Sequence, residues 1–200
     1  MKDYNWNHLM ATYKKLVKQN YLVLEIGAST IDRTRDLSKL CKKIIGVEYQ
    51  KKRLPCNHGN IEYTLGDWQK LDKIIKPNTV DLAISSHTLE HIPNDKKAIN
   101  QLYKVLKPNK YAIITTPNRK RLIRVIIEFF TSERKFPHWE HIREYTELDL
   151  EKLIKSTNFK KFTITPVVIG FHFQNIKICF TKVPNILKKY ANCWEIILKK

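Results

Sequence analysis

The sequence lacks the features that mark zinc-ribbon, secreted and membrane-spanning proteins. Its four cysteines are widely spaced and form no CxxC pair, which argues against a zinc ribbon or a thioredoxin-type motif. No apolar run approaches the length of a membrane span, and the polar segment 1–8 has no apolar core, so neither a transmembrane helix nor a signal peptide is expected. Free thiols in a reducing cytosol are the expected state. The sequence therefore predicts a cytoplasmic protein, and no residues are predicted to bind a metal.

Acidic residues are also scarce, since 19 aspartates and glutamates stand against 37 lysines and arginines and leave a net charge of +18. Such a charge favours anionic partners, which include nucleic acid, phosphorylated substrates and the surface of an anionic membrane. The lysines are scattered along the chain and form no single block, so a solvated lysine-rich surface accounts for the charge equally well. Nucleic acid is therefore kept as an alternative partner and is not the favoured one.

Short apolar runs alternate with longer amphipathic stretches along most of the chain. The runs are typical of strands, and apolar residues at every third or fourth position are typical of helices. Strands are expected at 21–26, 44–48, 61–65, 80–85 and 111–115, helices at 6–18, 31–41, 95–106 and 147–156, and a β-rich tail at 162–173 and 192–198. The alternation predicts an α/β fold, Rossmann-like and doubly wound, with a mostly parallel sheet. No internal repeat or low-complexity linker interrupts the chain, so residues 1–200 are expected to form a single domain.

The turn after the first predicted strand is built from small residues. Gly27, Ala28 and Ser29 follow the apolar run, and a nucleotide cofactor needs the backbone to come close at such a strand-to-helix turn. Glu48 ends the second predicted strand about 20 residues further on, the spacing at which a carboxylate meets ribose hydroxyls. A carboxylate suits that task because it accepts two hydrogen bonds from a vicinal diol. Together these residues indicate an adenosine-containing cofactor.

Two residues after the third predicted strand fit the adenine end of such a cofactor. Asp67 can accept a hydrogen bond from the adenine amino group, because a carboxylate offers only acceptors. Trp68 can stack beside the adenine ring through its aromatic face. The pair therefore narrows the choice among nucleotide cofactors to one that carries adenine.

The residues around the fourth and fifth predicted strands carry a resemblance to a known family. Residues 81–92 read D-L-A-I-S-S-H-T-L-E-H-I, residues 105–110 read V-L-K-P-N-K, and residues 115–118 read T-T-P-N. These segments resemble the class I S-adenosylmethionine (SAM)-dependent methyltransferases, within them the large group of methyltransferase domains that act on varied small acceptors. Residues 141–146, H-I-R-E-Y-T, are similar to a further motif of that family. The resemblance extends from about residue 21 to nearly residue 160.

The resemblance implies SAM as the cofactor and a seven-stranded, mostly parallel sheet with an antiparallel C-terminal strand. It places the methionine and ribose of SAM at the turn after the first strand, the ribose diol at Glu48, and adenine between Asp67 and Trp68. The end of the fourth strand would lie beside the sulfonium methyl and the acceptor. The implied cofactor-binding residues are Glu25, Gly27, Ala28, Ser29, Glu48, Tyr49, Asp67, Trp68, Ser85, Ser86 and His87.

Two positions depart from the family's pattern. The family's loop usually reads E-x-G-x-G-x-G, and here Ser29 and Ile31 replace the second and third glycines. Serine is a small change, whereas isoleucine replaces a glycine that usually lets the helix pack close to the strand. A shifted helix start or weaker SAM binding is therefore expected. Asn109 replaces a glycine of the family's Gly-Gly turn, which is tolerable because asparagine accepts left-handed backbone conformations.

Histidines are the candidate catalytic residues. Methyl transfer from SAM is an in-line displacement, so the protein must align the acceptor with the methyl group and, for a hydroxyl acceptor, remove a proton. Histidine is the natural base near neutral pH. His87 is a candidate because it follows the fourth strand, and His141 because its segment is expected to fold over the pocket. His138 is a further candidate on that segment, whereas His91 is expected to pack or to cap a helix.

Residues 119–145 form a basic amphipathic insert. Its first part, 119–136, mixes arginines and lysines with valine, leucine, isoleucine and phenylalanine. As a helix, this part is expected to cover the active site as a lid or to pack on the sheet. Contact with an anionic membrane through the same apolar face is the alternative.

The sequence thus predicts a SAM-dependent methyltransferase that acts on an unidentified small-molecule or glycan-type acceptor. An RNA methyltransferase is an alternative that the net charge suggests, although no N/D-P-P-Y/F motif follows the fourth strand. A NAD(P)-dependent oxidoreductase would need G-x-G-x-x-G, which the loop from Gly27 does not supply. A non-catalytic methyltransferase-fold partner subunit is a further alternative, motivated by Ile31. The sequence predicts no oligomeric state.

Overall fold

Strands and helices alternate as far as the fifth strand in the computed structural model of the protein, which describes residues 4–130, 141–173 and 176–200. The helices are α1 (Tyr4–Leu16), α2 (Ile31–Ser38), α3 (Asp95–Val105), α4 (Leu122–Phe130) and α5 (Glu147–Lys155). The strands are β1 (Leu22–Ile26), β2 (Lys43–Glu48), β3 (Ile61–Leu65), β4 (Val80–Ser86), β5 (Leu106–Pro117), β6 (Lys161–Val167), β7 (Ile169–Phe173), β8 (Ile176–Phe180) and β9 (Cys193–Lys199). Short 3-10 helices lie at Lys51–Arg53, Trp68–Lys73, Leu89–His91 and Asn185–Tyr190.

Seven strands form the central sheet in the order β3-β2-β1-β4-β5-β9-β6. The first five strands in that order pair in parallel, and β9 runs antiparallel to both β5 and β6. The predicted Rossmann-like sheet with an antiparallel C-terminal strand is confirmed. The strand order reverses between β1 and β4, and ligands of such folds bind outside the carboxyl ends of the strands at this point. The strands β7 and β8 form a separate antiparallel pair.

The sheet is covered on both faces, so its central strands are apolar on both sides. Successive side chains of a strand point to opposite faces, which places Leu24 in one core layer and Val23 in the other. The first layer includes Leu102 of α3 and Ile154 of α5, and the second includes Leu9 and Tyr13 of α1 with Leu37 of α2. These two layers hold the strands rigidly and leave their carboxyl ends as the edge where loops gather.

Asp81, the first residue of the motif in β4, belongs to the opposite edge of the sheet. Its carboxylate accepts the backbone N–H of Leu22 at 3.0 Å and the Nζ of Lys107 at 2.9 Å, where β1 and β4 begin. Burial pushes the pKa of Asp81 upward, but the bonds from Lys107 and Leu22 outweigh burial, and the pKa is lowered. This residue therefore joins the amino ends of three strands and does not belong to the site.

Two strand boundaries differ from the sequence expectation. β5 begins at Leu106, five residues earlier than expected, because Leu106 is buried and pairs with Val80 before the register shifts. Within β5, Asn109 has a φ of 61°, the left-handed conformation expected of it. The expected tail at 162–173 is not one strand, since Val168, with a φ of 51°, separates β6 in the main sheet from β7. The sequence also fails to predict β8, the partner of β7.

The helix α4 lies in the first part of the basic insert, and it packs against β7. Phe129 and Phe130 near its end are 82% and 78% exposed. Residues 131–140 of the insert, with the candidate His138, lie outside the described residues. Among the residues that the structure describes, no helix has both the length and the apolar character needed to cross a bilayer.

Candidate active site at the carboxyl ends of the strands

The turn after β1 approaches the loop after β4 closely. Gly27 has a φ of 77°, and a Cβ atom added to it would lie 2.4 Å from the Oγ1 of Thr88. Both the backbone conformation and the missing side chain are therefore required at this position. The contact brings together the two loops at the point where the strand order reverses, which is where the sequence predicts the cofactor.

The residues that follow Gly27 in this turn differ in their exposure. Ala28 is fully buried. It packs closely against β2, since a Cβ added to Gly46 would lie only 2.9 Å from the Cβ of Ala28. Ser29 and Thr30 are exposed. Ile31 is the first residue of α2 and is 44% exposed, so it does not enter the interface between the helix and the sheet. Thr34, one turn later and fully buried, fills that interface instead.

Glu25 lies one strand position before this turn and is buried, with 7% of its surface exposed. Burial raises its pKa to about 7, while the hydroxyl of Thr34 and the charge of Arg33 act in the opposite direction. Its Oε2 has no hydrogen-bond partner among the described residues. The carboxyl therefore lies beneath α2 as a group that gains or loses its charge near neutral pH.

The ends of β2 and β3 carry the predicted ribose and adenine residues. Glu48 is buried at 6% exposure, and its Oε1 accepts the backbone N–H of Gln50 at 2.8 Å. Tyr49, the next residue, is 73% exposed. Asp67 caps a 3-10 helix by accepting the N–H of Gln69 at 2.8 Å. Trp68 is only 2% exposed and lies in the core layer beneath β2, so its predicted contact with adenine stays a prediction.

The end of β4 brings Ser85, Ser86 and His87 to the same edge. Ser85 is buried, whereas Ser86 is half-buried and accepts a hydrogen bond of 3.3 Å from the hydroxyl of Thr115 on β5. His87 has a φ of 50°, and its backbone N–H donates to the carbonyl oxygen of Thr115 at 2.9 Å. The backbone at His87 thus ends the strand with a left-handed residue, which turns the chain into the following loop.

Glu90 is a buried carboxylate that the sequence interpretation did not single out. Its side chain is 0% exposed, and its Oε2 accepts the hydroxyl of Thr116 at 3.1 Å. The Nδ1 of His87 lies 3.5 Å from its other oxygen, Oε1, which has no hydrogen-bond partner among the described residues. His87 therefore faces a buried carboxylate, which is the partner that would orient a catalytic imidazole.

His141 has a carboxylate partner of its own. Its Nδ1 lies 2.8 Å from the Oε1 of Glu144, whose side chain is 0% exposed. Arg121 donates to both carboxylate oxygens of Glu144, at 2.8 and 3.2 Å. The ring of His141 also meets the ring of His91 edge-on, with centroids 4.9 Å apart. The two candidate catalytic histidines, His87 and His141, therefore lie in one connected cluster of charged and imidazole groups.

Hydrogen bonds and an ion pair hold the segment with His141 against the loop after β4. The N–H of Ile142 donates to the carbonyl of Glu90 at 3.0 Å. Arg143 donates to the carbonyl of Ile92 at 3.1 Å and pairs with Asp95 at 2.9 Å. The hydroxyl of Tyr145 also donates to Asp95, at 3.0 Å. These contacts explain the spacing of the H-x-R-x-Y motif, since the arginine and tyrosine fix the position at which the histidine meets the cluster.

A cavity of about 330 Å³ opens beside the cluster. It is lined by residues of α1, of the loops after β4 and β5, of α4, and of β7, namely Asn5, His87, Pro117, Arg121, Ile123, Gly170 and Asn192. Asn118, the last residue of the T-T-P-N motif, does not line it but donates its side-chain amide to the carbonyls of Lys189 and Ala191, at 2.9 and 2.8 Å. That residue braces the wall of the cavity.

Comparison with known proteins agrees with this arrangement. The model of a family described as a methyltransferase domain matches residues 6–164. The chain belongs to this methyltransferase domain family. The predicted class I methyltransferase fold is thereby confirmed, and no curated protein matches the chain.

Solved structures share the fold at low sequence identity. A SAM-dependent methyltransferase from Archaeoglobus fulgidus is 19% identical, with a TM-score of 0.68 over 96% of this chain and 92% of the other. Phosphoethanolamine N-methyltransferase 2 from Haemonchus contortus, crystallised with SAM, is 20% identical, with a TM-score of 0.62 over 80% of this methyltransferase and 38% of the other chain. A Haloferax volcanii methyltransferase in complex with the activator Trm112 is 10% identical, with a TM-score of 0.65 over 100% and 91% of the two chains.

The structure also shows which residues sequence reasoning missed in this methyltransferase. Glu90 and His91 were part of a recognised motif, L-E-H, but the sequence does not show that the glutamate is buried against Thr116. Glu144 and Arg121 were not assigned any role, because their pairing joins segments far apart in the chain. The sequence signal that points to Glu90 is its position between two histidines, His87 and His91.

Proposed function

We propose that this protein transfers a methyl group from SAM to a small-molecule or glycan-type acceptor. The observation that carries the proposal is the close contact of Gly27 with Thr88, beside a cavity lined by His87, in a chain of the methyltransferase domain family. The contact joins a small-residue turn to the loop after β4 at the switch point of the sheet. A cofactor held at that turn would therefore have its reactive end next to the cavity.

The residues at the strand ends fit SAM. Gly27 lets the turn pass close to Thr88, where a Cβ would clash, and Glu25 offers a buried carboxyl oxygen without a partner among the described residues. Glu48 lies at the end of β2 with one carboxylate oxygen held by the N–H of Gln50, which orients the group for a ribose diol. Asp67 is half-buried at the end of β3, on the side expected for adenine. The Haemonchus contortus relative is crystallised with SAM, which supports the same cofactor here.

When bound, SAM supplies a methyl group on a sulfonium, which is already a strong leaving group. The protein's task is to hold the acceptor in line with that methyl group and to take a proton from a hydroxyl acceptor. His87 and His141 are the candidate bases, because each has a buried carboxylate partner that would orient its ring. His87 also lines the cavity, which makes it the nearer of the two to an acceptor.

The volume and the lining of the cavity limit the size and the chemistry of the acceptor. Its volume of about 330 Å³ lies at the lower end of the range for small-molecule sites. Arg121, Asn5 and Asn192 contribute polar groups to its lining, whereas Ile123 and Pro117 contribute apolar ones. Such a mixed lining suits a small acceptor that has both apolar and polar groups, of which a sugar unit is an example. The high net charge of +18 favours an acceptor that carries negative charge.

Two alternatives remain testable against this proposal. The net charge motivates RNA methylation, and the Haloferax volcanii relative, which binds the activator Trm112, motivates a role that depends on a partner protein. RNA binding would be strong and would fall steeply with salt, because it depends on counterion release. A partner-dependent protein would bind SAM weakly by itself and more tightly with its partner.

Isothermal calorimetry with SAM and S-adenosylhomocysteine tests the proposal directly. We expect both to bind, and Glu48→Gln to weaken them about tenfold, since one charge-assisted acceptor of the ribose diol is lost. Glu62→Gln on the neighbouring strand β3, in an exposed ion pair with Lys43, is the matched control and should leave the affinity unchanged. No binding at high micromolar SAM, or tight binding of NADH instead, would contradict the proposal.

A further inference from the structure

We propose that Glu90, His91 and His141 bind a divalent transition-metal ion beside the acceptor cavity. Each of the three side chains offers one ligand atom, and these atoms lie within 4.8 Å of one another. Two imidazole nitrogens with one carboxylate oxygen form a ligand set of zinc enzymes and of non-haem iron sites. The inference departs from the sequence expectation, which includes no metal.

The buried charge of Glu90 is the first argument. Its side chain is 0% exposed, yet only Oε2 has a hydrogen-bond partner, the hydroxyl of Thr116. Its Oε1 has no hydrogen-bond partner among the described residues. A buried carboxylate is costly unless a cation or further hydrogen bonds compensate for its lost hydration. A metal ion between Glu90 and the two histidines would supply that compensation.

Arg121, the arginine of this cluster, pairs with a different carboxylate. Arg121 makes both of its short carboxylate contacts to Glu144, at 2.8 and 3.2 Å. That bidentate pair balances the charge of Glu144 and leaves Glu90 to other groups. His87 lies 3.5 Å from Oε1 of Glu90 and would balance it only as an imidazolium. Balance by His87 alone is therefore the competing explanation, and it predicts a cluster without metal.

The contact between His141 and Glu144 is the second argument. Histidines that bind metals commonly donate the other ring N–H to a carboxylate, which fixes the tautomer and the orientation of the ring. The Nδ1 of His141 lies 2.8 Å from Oε1 of Glu144, and Arg121 in turn donates to both oxygens of that carboxylate. A proton on Nδ1 donated to Glu144 leaves Nε2 as the ligand atom. The outer shell of a metal site is therefore already in place around His141.

Hydrogen bonds to backbone carbonyls outside the proposed ligand atoms fix the positions of the three ligand residues. The N–H of Ile142 donates to the carbonyl of Glu90, and Arg143 grips the carbonyl of Ile92, so each ligand has an anchored neighbour. The rings of His91 and His141 meet at 4.9 Å as a result. Ligands held this way are preorganised, which is what metal sites in proteins require.

The proposed site adjoins the acceptor cavity through two residues. His87 lines the cavity and lies next to Glu90, and Arg121 lines the cavity and pairs with Glu144. If the proposed methyl transfer is correct, a metal ion here would bind an acceptor oxygen and lower the pKa of its hydroxyl. With both ring nitrogens of His141 engaged, the proton of the acceptor would pass to His87, and the oxygen would form its new bond to the methyl carbon as the sulfur–methyl bond breaks and S-adenosylhomocysteine leaves.

Metal titration of the full chain tests the site without any assay of methyl transfer. The protein would be freed of metal with a chelator and titrated with Co²⁺, whose visible absorption reports its coordination, and with Zn²⁺ by calorimetry. We expect one equivalent of either ion per chain and a rise in the thermal midpoint of roughly 5 °C at a hundredfold excess over Kd. His91→Ala and His141→Ala should each weaken binding at least about tenfold.

Two matched variants guard against binding elsewhere. His58→Ala removes an exposed histidine outside the cluster, and Cys56→Ser removes an exposed thiol. Both should leave the stoichiometry and the affinity for metal unchanged. Glu144→Gln should weaken metal binding about tenfold through His141, although it touches no proposed metal atom. Retention of one equivalent in His91→Ala and His141→Ala, or its loss in Cys56→Ser, would overturn the proposal.

The same preparations separate this proposal from the proposed function. SAM binding without metal binding at millimolar Zn²⁺ would overturn the metal site, would leave the methyltransferase proposal standing, and would assign the balance of Glu90 to His87. Metal binding without SAM binding would support the site and contradict the methyltransferase proposal. Binding of both, with the histidine variants losing only the metal, is the expected result.

Discussion

The turn after β1 and the cluster after β4 lie at the same edge of the sheet but differ in the kind of residue that forms them. The turn consists of consecutive small residues, and its central feature is a glycine at which any Cβ would clash with the side chain of Thr88. The cluster consists of buried carboxylates and imidazoles that come from the loops after β4 and β5 and from the segment 141–145. The turn depends on close packing at a residue without a side chain, and the cluster depends on the balance of buried charges.

This difference separates what related methyltransferases share from what distinguishes them. A common cofactor needs a common shape, and a short turn with a required glycine provides it. An acceptor differs between enzymes, and its chemistry is met by side chains that several segments contribute. Substitutions on the two sides should therefore differ in kind, with losses of packing at the turn and losses of charge balance in the cluster.

The largest effect is expected on the charged side, from Glu144→Gln. The substitution leaves Arg121 without its carboxylate in a site where the glutamate is 0% exposed and the arginine 20% exposed. Breaking one partner of a buried ion pair costs about 3–5 kcal/mol of unfolding free energy. Urea denaturation of the wild type and the variant measures this loss of unfolding free energy. Glu62→Gln, which breaks an exposed pair with Lys43, should cost at most about 0.5 kcal/mol, and equal losses in both variants would erase the comparison.

The second effect concerns Glu25, a buried carboxyl group on the side of the turn. Its pKa is about 7 in the folded protein against 4.5 ordinarily, so the folded state holds the proton more tightly. Its contribution to stability is fully present below pH 4.5 and is lost as the pH rises through 7, by up to about 3 kcal/mol. Glu25→Gln should abolish that loss and raise the unfolding free energy at pH 8 relative to the wild type.

Unfolding free energies of the wild type and Glu25→Gln at pH 5 and pH 8 test this prediction. The same variant should bind SAM more weakly, because the resemblance places this carboxyl near the methionine part of the cofactor. Glu62→Gln should keep the pH dependence of the wild type. A pH dependence in Glu25→Gln parallel to that of the wild type would show that another group is responsible.

The third effect compares two glycines with positive φ. Gly27→Ala places a methyl group 2.4 Å from Thr88, whereas at Gly59, with a φ of 57°, a Cβ would meet nothing within 4 Å. Both variants incur the cost of a left-handed alanine, about 1–2 kcal/mol, and only Gly27→Ala adds a clash. Thermal unfolding and SAM calorimetry should show a loss of affinity in Gly27→Ala alone. Equal effects would mean that the turn tolerates the added methyl group.

The smallest effect is expected at Ile31, where the family pattern has a glycine. Because this residue begins α2 and is 44% exposed, its side chain does not separate the helix from the sheet. Ile31→Gly should change the affinity for SAM less than about threefold and reduce stability by no more than about 1 kcal/mol. Ile31→Ala serves as the control for helix propensity. Much tighter SAM binding in Ile31→Gly would show that isoleucine does obstruct the cofactor.

The fold was predictable because its signals are local. The apolar runs that become β1, β2, β3 and β4 are each recognisable within a short window, and their alternation with helices implies parallel pairing. The sequence missed the early start of β5 and the strand β8, because both depend on a partner strand. Leu106 joins β5 through Val80, and β8 pairs with β7, and neither partner can be inferred from the residues themselves.

The sequence by itself determined the α/β fold and the turn at Gly27, because small residues and hydrophobic periodicity act over a few neighbouring positions. The resemblance of its motifs then pointed to the methyltransferases. Only the tertiary structure decided that Trp68 lies in the core, that Glu90 is buried, and that His141 meets His91 across the loops. Burial and charge balance are properties of groups that folding brings together from distant segments. The chemistry of the acceptor side therefore becomes visible only when those segments are in contact.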